Sequence, residues 1–340
     1  MPWPLIKLMP QKTNIKFVRF AFFASFVSVL AVLASFASMF SGGFRENPIA
    51  VYQHASGSPA DRLGVILSHG FNLGIDFRGG TLVEVRAPDP IDLARLRAAL
   101  TDLHIGDVQI QPFADPHDAL VRFNAITESA EQALVRVDGA LKAVLPGMTI
   151  VRTEVVGPKV SGELFSSGLT ALGLAMLLVM AYIWFRFGLQ FGYGAVLSLL
   201  HDTILTLGVF SVFRLEFTLP VIAGLLTVIG YSMNDTVVVF DRMRENFRKY
   251  KRMPPTDVID LSINETLSRT TVTAATALLA SIALYFYGGE TLNAFAICMI
   301  FGIVVATYSS IYIAAPALPL FQPPGGVPGA KPATEPQNAG

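Results

Sequence analysis

Six stretches of about twenty apolar residues decide what this chain can become, because a helix of ~20 residues rising ~1.5 Å each spans the ~30 Å hydrocarbon core of a bilayer. Residues 20–40, 164–185 and 292–320 contain no charged side chain, and 270–287 is shorter but also free of charge. Residues 187–213 and 217–240 are equally apolar except for one aspartate each, Asp202 and Asp235. With 52% hydrophobic and 15% charged residues, the chain is too apolar for a water-soluble fold of 340 residues. An α-helical polytopic membrane protein with six transmembrane helices is the expected architecture.

The first span exceeds the ~7–15 residues of a signal-peptide core and follows a 19-residue leader, 1–19, so it reads as an anchor. Lys7, Lys12, Lys16 and Arg19 precede it without an acidic residue, which places the N-terminus in the cytoplasm. Six crossings return the C-terminus to the same side. They also put the connection 241–268 there, with Arg242, Arg244, Arg248, Lys249, Lys251 and Arg252. After Pro254-Pro255 this connection carries Ile259, Ile263 and Leu267 at helical spacing, the pattern of an amphipathic segment lying along the membrane face, with lipid contact from its basic first half. The tail 321–340, rich in Pro, Gly and Ala, reads as disordered.

Residues 41–160, between spans one and two, hold 11 Lys/Arg against 14 Asp/Glu, an ordinary globular composition of net charge −3. Strand-like alternation at 79–87, 108–113, 119–123 and 149–156, with helical spacing at 91–103 and 128–145, gives the order β-α-β-β-α-β. That is the ferredoxin-like α+β pattern, here an extracytoplasmic domain inserted between helices one and two. It contains no nucleophile motif, phosphate loop or metal-spaced cluster, since His69, His104 and His117 are scattered. A mechanical or binding element is the reading that remains. Lys+Arg and Asp+Glu both number 25, which gives no footing to nucleic-acid binding, and Cys298 stands alone, which removes a disulfide framework and a cysteine metal site.

Three motifs carry a family resemblance. They are Gly74-Ile75-Asp76-Phe77-Arg78-Gly79-Gly80 before the first strand of the insert, Val156-Gly157-Pro158-Lys159-Val160 at its exit, and Gly230-Tyr231-Ser232-Met233-Asn234-Asp235-Thr236 running on to Asp241-Arg242 in span four. Together with His201-Asp202 in span three and Leu267-Ser268-Arg269-Thr270-Thr271 at the head of span five, they resemble the SecF family of the RND superfamily, the smaller half of the SecD/SecF accessory complex of the Sec translocase. The resemblance covers roughly residues 10–320, in order. It implies SecD, the SecYEG translocon and a translocating preprotein as partners, beside membrane lipids. It also implies a bacterial inner-membrane location, no enzymatic activity, and no cofactor or metal beyond the proton gradient.

The glycines of 74–80 permit positive φ, and Asp76 can bond nearby amides, so that motif reads as a structural turn. Gly157-Pro158 reads as a stiff re-entry into span two. Asp235 is different, because a carboxylate in hydrocarbon costs roughly 2.5–3.5 kcal/mol even on the lenient scale, and such residues are functional by default. It lies six residues, or about 9 Å, before Asp241. Arg269 opens the next span from the same side, at a depth where the two can pair. The resemblance assigns proton-motive-force use to Asp235 and Arg269, and a charge pair at ~4 Å and an effective dielectric near 20, worth about 4 kcal/mol, is enough to switch a carboxylate between its two forms. For Asp202 with His201, an interhelical hydrogen bond and a relay position stand side by side. Ser232, Asn234 and Thr236 are polar neighbours that bond across helices or hold water, while Gly224 and Gly230 allow close helix approach.

Two other functions fit parts of the pattern. A small-molecule exporter of the same superfamily is disfavoured by the single small insert. An intramembrane aspartyl protease using Asp202 and Asp235 lacks the Gly-x-Gly-Asp context, and Arg269 opposes the shared-proton dyad it needs.

Overall fold

The computed structural model describes residues 13–45, 47, 52–53, 69–106, 108–113, 115–124 and 130–321. The leader before residue 13, with Lys7 and Lys12, and the tail beyond 321 lie outside the described residues. Two compact units emerge, Leu73–Thr170 and the rest of the chain. Among the described residues, six helices are long and apolar enough to cross a membrane. They are α1 (Phe17–Phe40), then, beyond the elements of the insert (α2–α4, β1–β4), α5 (Pro158–Phe187), α6 (Leu189–Val212), α7 (Leu219–Lys249), α8 (Pro255–Tyr287) and α9 (Glu290–Ser309). The last continues as a π turn, Ser310–Ala314, just ahead of Pro316, whose missing N–H breaks the regular ladder.

Within the bundle α6, α7 and α9 are the inner helices, while α1, α5 and α8 show most of their apolar surface. Two expectations change. The segment after Pro254-Pro255 does not lie flat as a separate amphipathic piece, because α8 runs unbroken from Pro255 to Tyr287. Its stripe Val258, Ile259 and Ile263 is buried in the bundle core beside Met243 and Phe247, so protein rather than lipid covers it. Residues 69–72 also pack with the bundle rather than with the insert. Ser211 Oγ donates to the Gly70 carbonyl at 2.9 Å, Asn72 Nδ2 to that of Arg214 at 3.1 Å, and Phe71 stacks on Phe217.

Helix α1 begins without a cap of its own, since Lys16 makes no side-chain capping bond and reaches Asp257 of α8 instead, at 3.3 Å. Helix α8 supplies one in trans. Asp260 Oδ1 accepts from Val18 N–H at 2.9 Å, and Asn264 clamps Ile15 through both its amide groups, at 3.0 and 2.8 Å. A buried carboxylate at a helix N-terminus satisfies an orphan donor and meets the positive end of the dipole.

The second unit is a four-stranded antiparallel sheet of β1 (Gly80–Arg86), β2 (Val108–Pro112), β3 (Asp118–Phe123) and β4 (Thr149–Val156), in the order β2-β3-β1-β4. Helices α3 (Leu93–Thr101) and α4 (Ala130–Val144) bury Leu96, Leu100, Val137 and Leu141 against Val83, Val85, Val121 and Phe123. This is the expected ferredoxin-like arrangement. Arg86 holds Asp118 through two 2.7 Å bonds, which keeps that carboxyl below its ordinary range.

The motif at 74–80 is one helical turn, α2 (Ile75–Arg78), followed by two glycines at positive φ, Gly79 at +74° and Gly80 at +114°. A Cβ on Gly80 would lie 2.8 Å from the Phe123 carbonyl oxygen, where β1 enters between its neighbours. Gly79 backs onto the Val156 carbonyl and Pro158, so the two sequence motifs meet at one joint. Gly80→Ala is expected to destabilise the domain by on the order of 1–3 kcal/mol through backbone strain, plus the clash. The thermal midpoint of the purified full chain reports it, and an unchanged midpoint would show that the joint relaxes freely.

Candidate functional site

The inner helices enclose a polar layer. Asp202, on α6, is 1% exposed and fully satisfied. Its Oδ1 meets His201 Nδ1 at 2.9 Å, and its Oδ2 accepts from Ser232 Oγ of α7 at 2.6 Å and Ser309 Oγ of α9 at 2.8 Å. Ser198 donates to Ser309 at 2.8 Å. The His201 ring lies beside Tyr308, whose hydroxyl reaches Ser28 Oγ at 2.9 Å and donates to the Ala24 carbonyl at 2.8 Å, so α1 joins the layer. His201 Nε2 is buried without a partner among the described residues.

Asp235 lies on α7 three residues beyond Ser232 and is 7% exposed, but its environment differs. Thr270 Oγ1 of α8 donates to its Oδ1 at 2.6 Å, while Oδ2 is buried with no hydrogen-bond partner among the described residues. Its neighbour Thr236 bonds Ser310 at 3.1 Å, where the π turn starts. A buried carboxylate with one oxygen unbonded is the costly arrangement for a fixed negative charge, because each unmet acceptor keeps its desolvation penalty.

The expected Asp235–Arg269 ion pair is not formed. Arg269 is exposed, and Thr270 holds the carboxylate instead. The reason is angular. Helix α8 turns Ile259, Ile263, Thr266 and Thr270 inward, and Arg269, one position earlier, points about 100° away from Thr270. Its charge still acts on Asp235 through space. Asn234 is likewise on the exposed side of α7, whereas Ser232 and Thr236 face in. Gly224 permits close approach, since a Cβ there would sit 3.0 Å from Cys298 Sγ, but Gly230 faces open space. No hydrogen bond joins Asp202 to Asp235 among the described residues, and none of their groupings has the make-up of a metal site.

Sequence reasoning therefore found both carboxylates and missed the rest of the network around them: Thr270 and Ser309 in direct contact, and Ser310, Ser198, Tyr308 and Ser28 beyond. The signal for three of these was present in Tyr308-Ser309-Ser310, consecutive hydroxyls inside a span free of charged groups.

Comparisons with known proteins bear on the family and the fold. Residues 136–322 match the family model "Protein export membrane protein SecD/SecF, C-terminal", and residues 64–87 match the SecD/SecF GG motif. The protein translocase subunit SecF of Cereibacter sphaeroides is 47% identical over 259 residues, 73% of this chain and 79% of that protein. The SecF of Rickettsia rickettsii is 46% identical over 253 residues, 74% and 82% of the respective chains. The crystal structure of SecDF, a translocon-associated membrane protein from Thermus thermophilus, superposes with a TM-score of 0.72 at 32% identity. It covers 93% of this chain, which spans about two-fifths (39%) of that longer one.

Proposed function

Because the chain belongs to the SecD/SecF family of protein export membrane proteins, we propose that it draws on the proton motive force to promote preprotein movement, with Asp235 as the group that takes up and releases the proton. The chain is an accessory subunit of the Sec translocase, multi-pass in the bacterial inner membrane, with SecD as its partner. SecYEG and the translocating preprotein are the further partners this reading requires.

One observation carries the proton assignment. Of the two carboxylates in the polar layer, Asp202 has each oxygen bonded, whereas Asp235 Oδ2 has no hydrogen-bond partner among the described residues. The site with an unmet oxygen is the one that gains most from a proton, and hydroxyls such as Thr270 in contact and Ser310 close by are easily exchanged. Arg269 then tunes Asp235 by its field rather than by contact. The test is transport of a secreted precursor into inverted membrane vesicles, with and without an imposed proton gradient, comparing Asp235→Asn with the unaltered chain. An unchanged gradient response would sink the assignment.

The orientation belongs to the same proposal: termini cytoplasmic, sheet domain outside. Single cysteines at Glu131 in the sheet domain and Lys251 beyond α7, in a background with Cys298 replaced, are expected to react with an impermeant reagent from opposite sides. Reaction of both from one side would invert or break the topology.

A further inference from the structure

At the end of the bundle where α5 finishes, a groove of about 610 Å³ is lined by Arg186, Asp241, Arg244, Glu245, Arg248 and Lys249. Four cations thus face two carboxylates. Each carboxylate already has a cation partner: Asp241 accepts from Arg186 at 3.0 and 3.3 Å, and Glu245 accepts from Arg242, outside the groove, at 2.6 Å. Among the described residues Arg244 reaches only the Arg186 carbonyl, at 3.4 Å, and Arg248 and Lys249 have no carboxylate partner. Arg244 and Arg248 stand one turn apart on α7, so both present to the same side. Three guanidinium groups around one opening suit an anion with several oxygens, which they grip through paired N–H bonds.

The depth of the groove says what brings that anion. Immediately before Arg186, helix α5 exposes Tyr182, Trp184 and Phe185, the last 94% exposed. Exposed aromatic rings at a helix end mark the level of lipid headgroups. Below them Leu174, Leu177 and Leu178 show a continuous exposed apolar strip along the same helix. We propose that the groove is a binding site for the phosphodiester headgroup of an anionic phospholipid, whose acyl chains run down the exposed face of α5. A free phosphate answers the arginines but not the strip beneath them. The site rests on membrane placement alone and stands independently of the proton assignment to Asp235.

Native mass spectrometry of the full chain in its complex, purified from vesicles of one part phosphatidylglycerol to four of phosphatidylcholine, tests this. The expected result is retained phosphatidylglycerol, reduced about tenfold in Arg244→Gln/Arg248→Gln and unchanged in the equally neutralised Lys251→Gln/Arg252→Gln, which lies outside the groove. The single change Arg248→Gln, at an exposed position, is expected to give a partial loss and serves if the double variant fails to assemble. Equal loss in both double variants would reduce the effect to general basicity and overturn the site, as would no loss in the groove variant. Displacement of the lipid by inorganic phosphate alone would reassign the groove to a soluble anion. Departure of a partner chain rather than lipid would make it a protein contact.

Discussion

Replacing Asp235 by asparagine is expected to abolish the acceleration of export by a proton gradient while leaving the protein inserted, folded and in its complex. Asparagine keeps the shape, its amide oxygen still accepts from Thr270, and it has no charge to lose. Nothing that depends on packing changes, because the neighbours Val239, Met233 and Ser232 are untouched. What disappears is the alternation between a protonated state and an ionised one whose second oxygen has no hydrogen-bond partner among the described residues. A proton entering from outside gains about 2.3 kcal/mol per 100 mV of potential, and that energy reaches the protein only through a group that binds it. Precursor transport by Asp235→Asn vesicles, at equal amounts of assembled complex, is therefore expected at the rate the unaltered protein shows without a gradient. Retained acceleration would make the carboxylate structural and move the proton path elsewhere.

The bundle was legible in sequence because hydrocarbon imposes one rule, that backbone groups bond internally, so length and apolarity suffice to find the spans. The domain was legible because its strands alternate and its helices keep their period, as in Val83 and Val85 beneath Val137 and Leu141. Partnership inside the polar layer was not legible. Arg269 and Thr270 are adjacent, and choosing between them needs the rotation of α8, fixed by Ile259 and Ile263 more than one turn away in the core. A charge pattern names arginine as the natural partner of a buried aspartate, and the packing hands the place to a hydroxyl instead. The amphipathic stripe after Pro255 misled in the same way, since an apolar face at helical spacing reads alike whether lipid or a neighbouring helix covers it.

The second carboxylate is expected to behave in the opposite manner. Asp202→Leu would leave the His201 Nδ1 donor and the Ser232 hydroxyl facing hydrocarbon, and would cut Ser309 back to the Ala306 carbonyl of its own helix at 3.1 Å. At about 1–3 kcal/mol for each buried group left unmet, the loss is several kcal/mol against a total stability of roughly 5–15. The three groups come from two further helices as well as from α6 itself, so the contact among α6, α7 and α9 loosens together. A large fall in the thermal midpoint of the detergent-purified complex, with poor accumulation in the membrane, is expected. Asp202→Asn separates structure from relay. Its amide oxygen still accepts one hydroxyl, its NH2 group donates to a second that has reversed, and His201 can change tautomer, so the layer re-forms with little loss. If Asp202 only holds helices together, the Asn variant keeps both its midpoint and its response to the gradient. If it passes protons, the variant keeps the midpoint and loses the response, as Asp235→Asn does. The complete bonding of Asp202 favours the first outcome, because a carboxylate held by three donors on fixed helices has no vacant oxygen to offer a travelling proton.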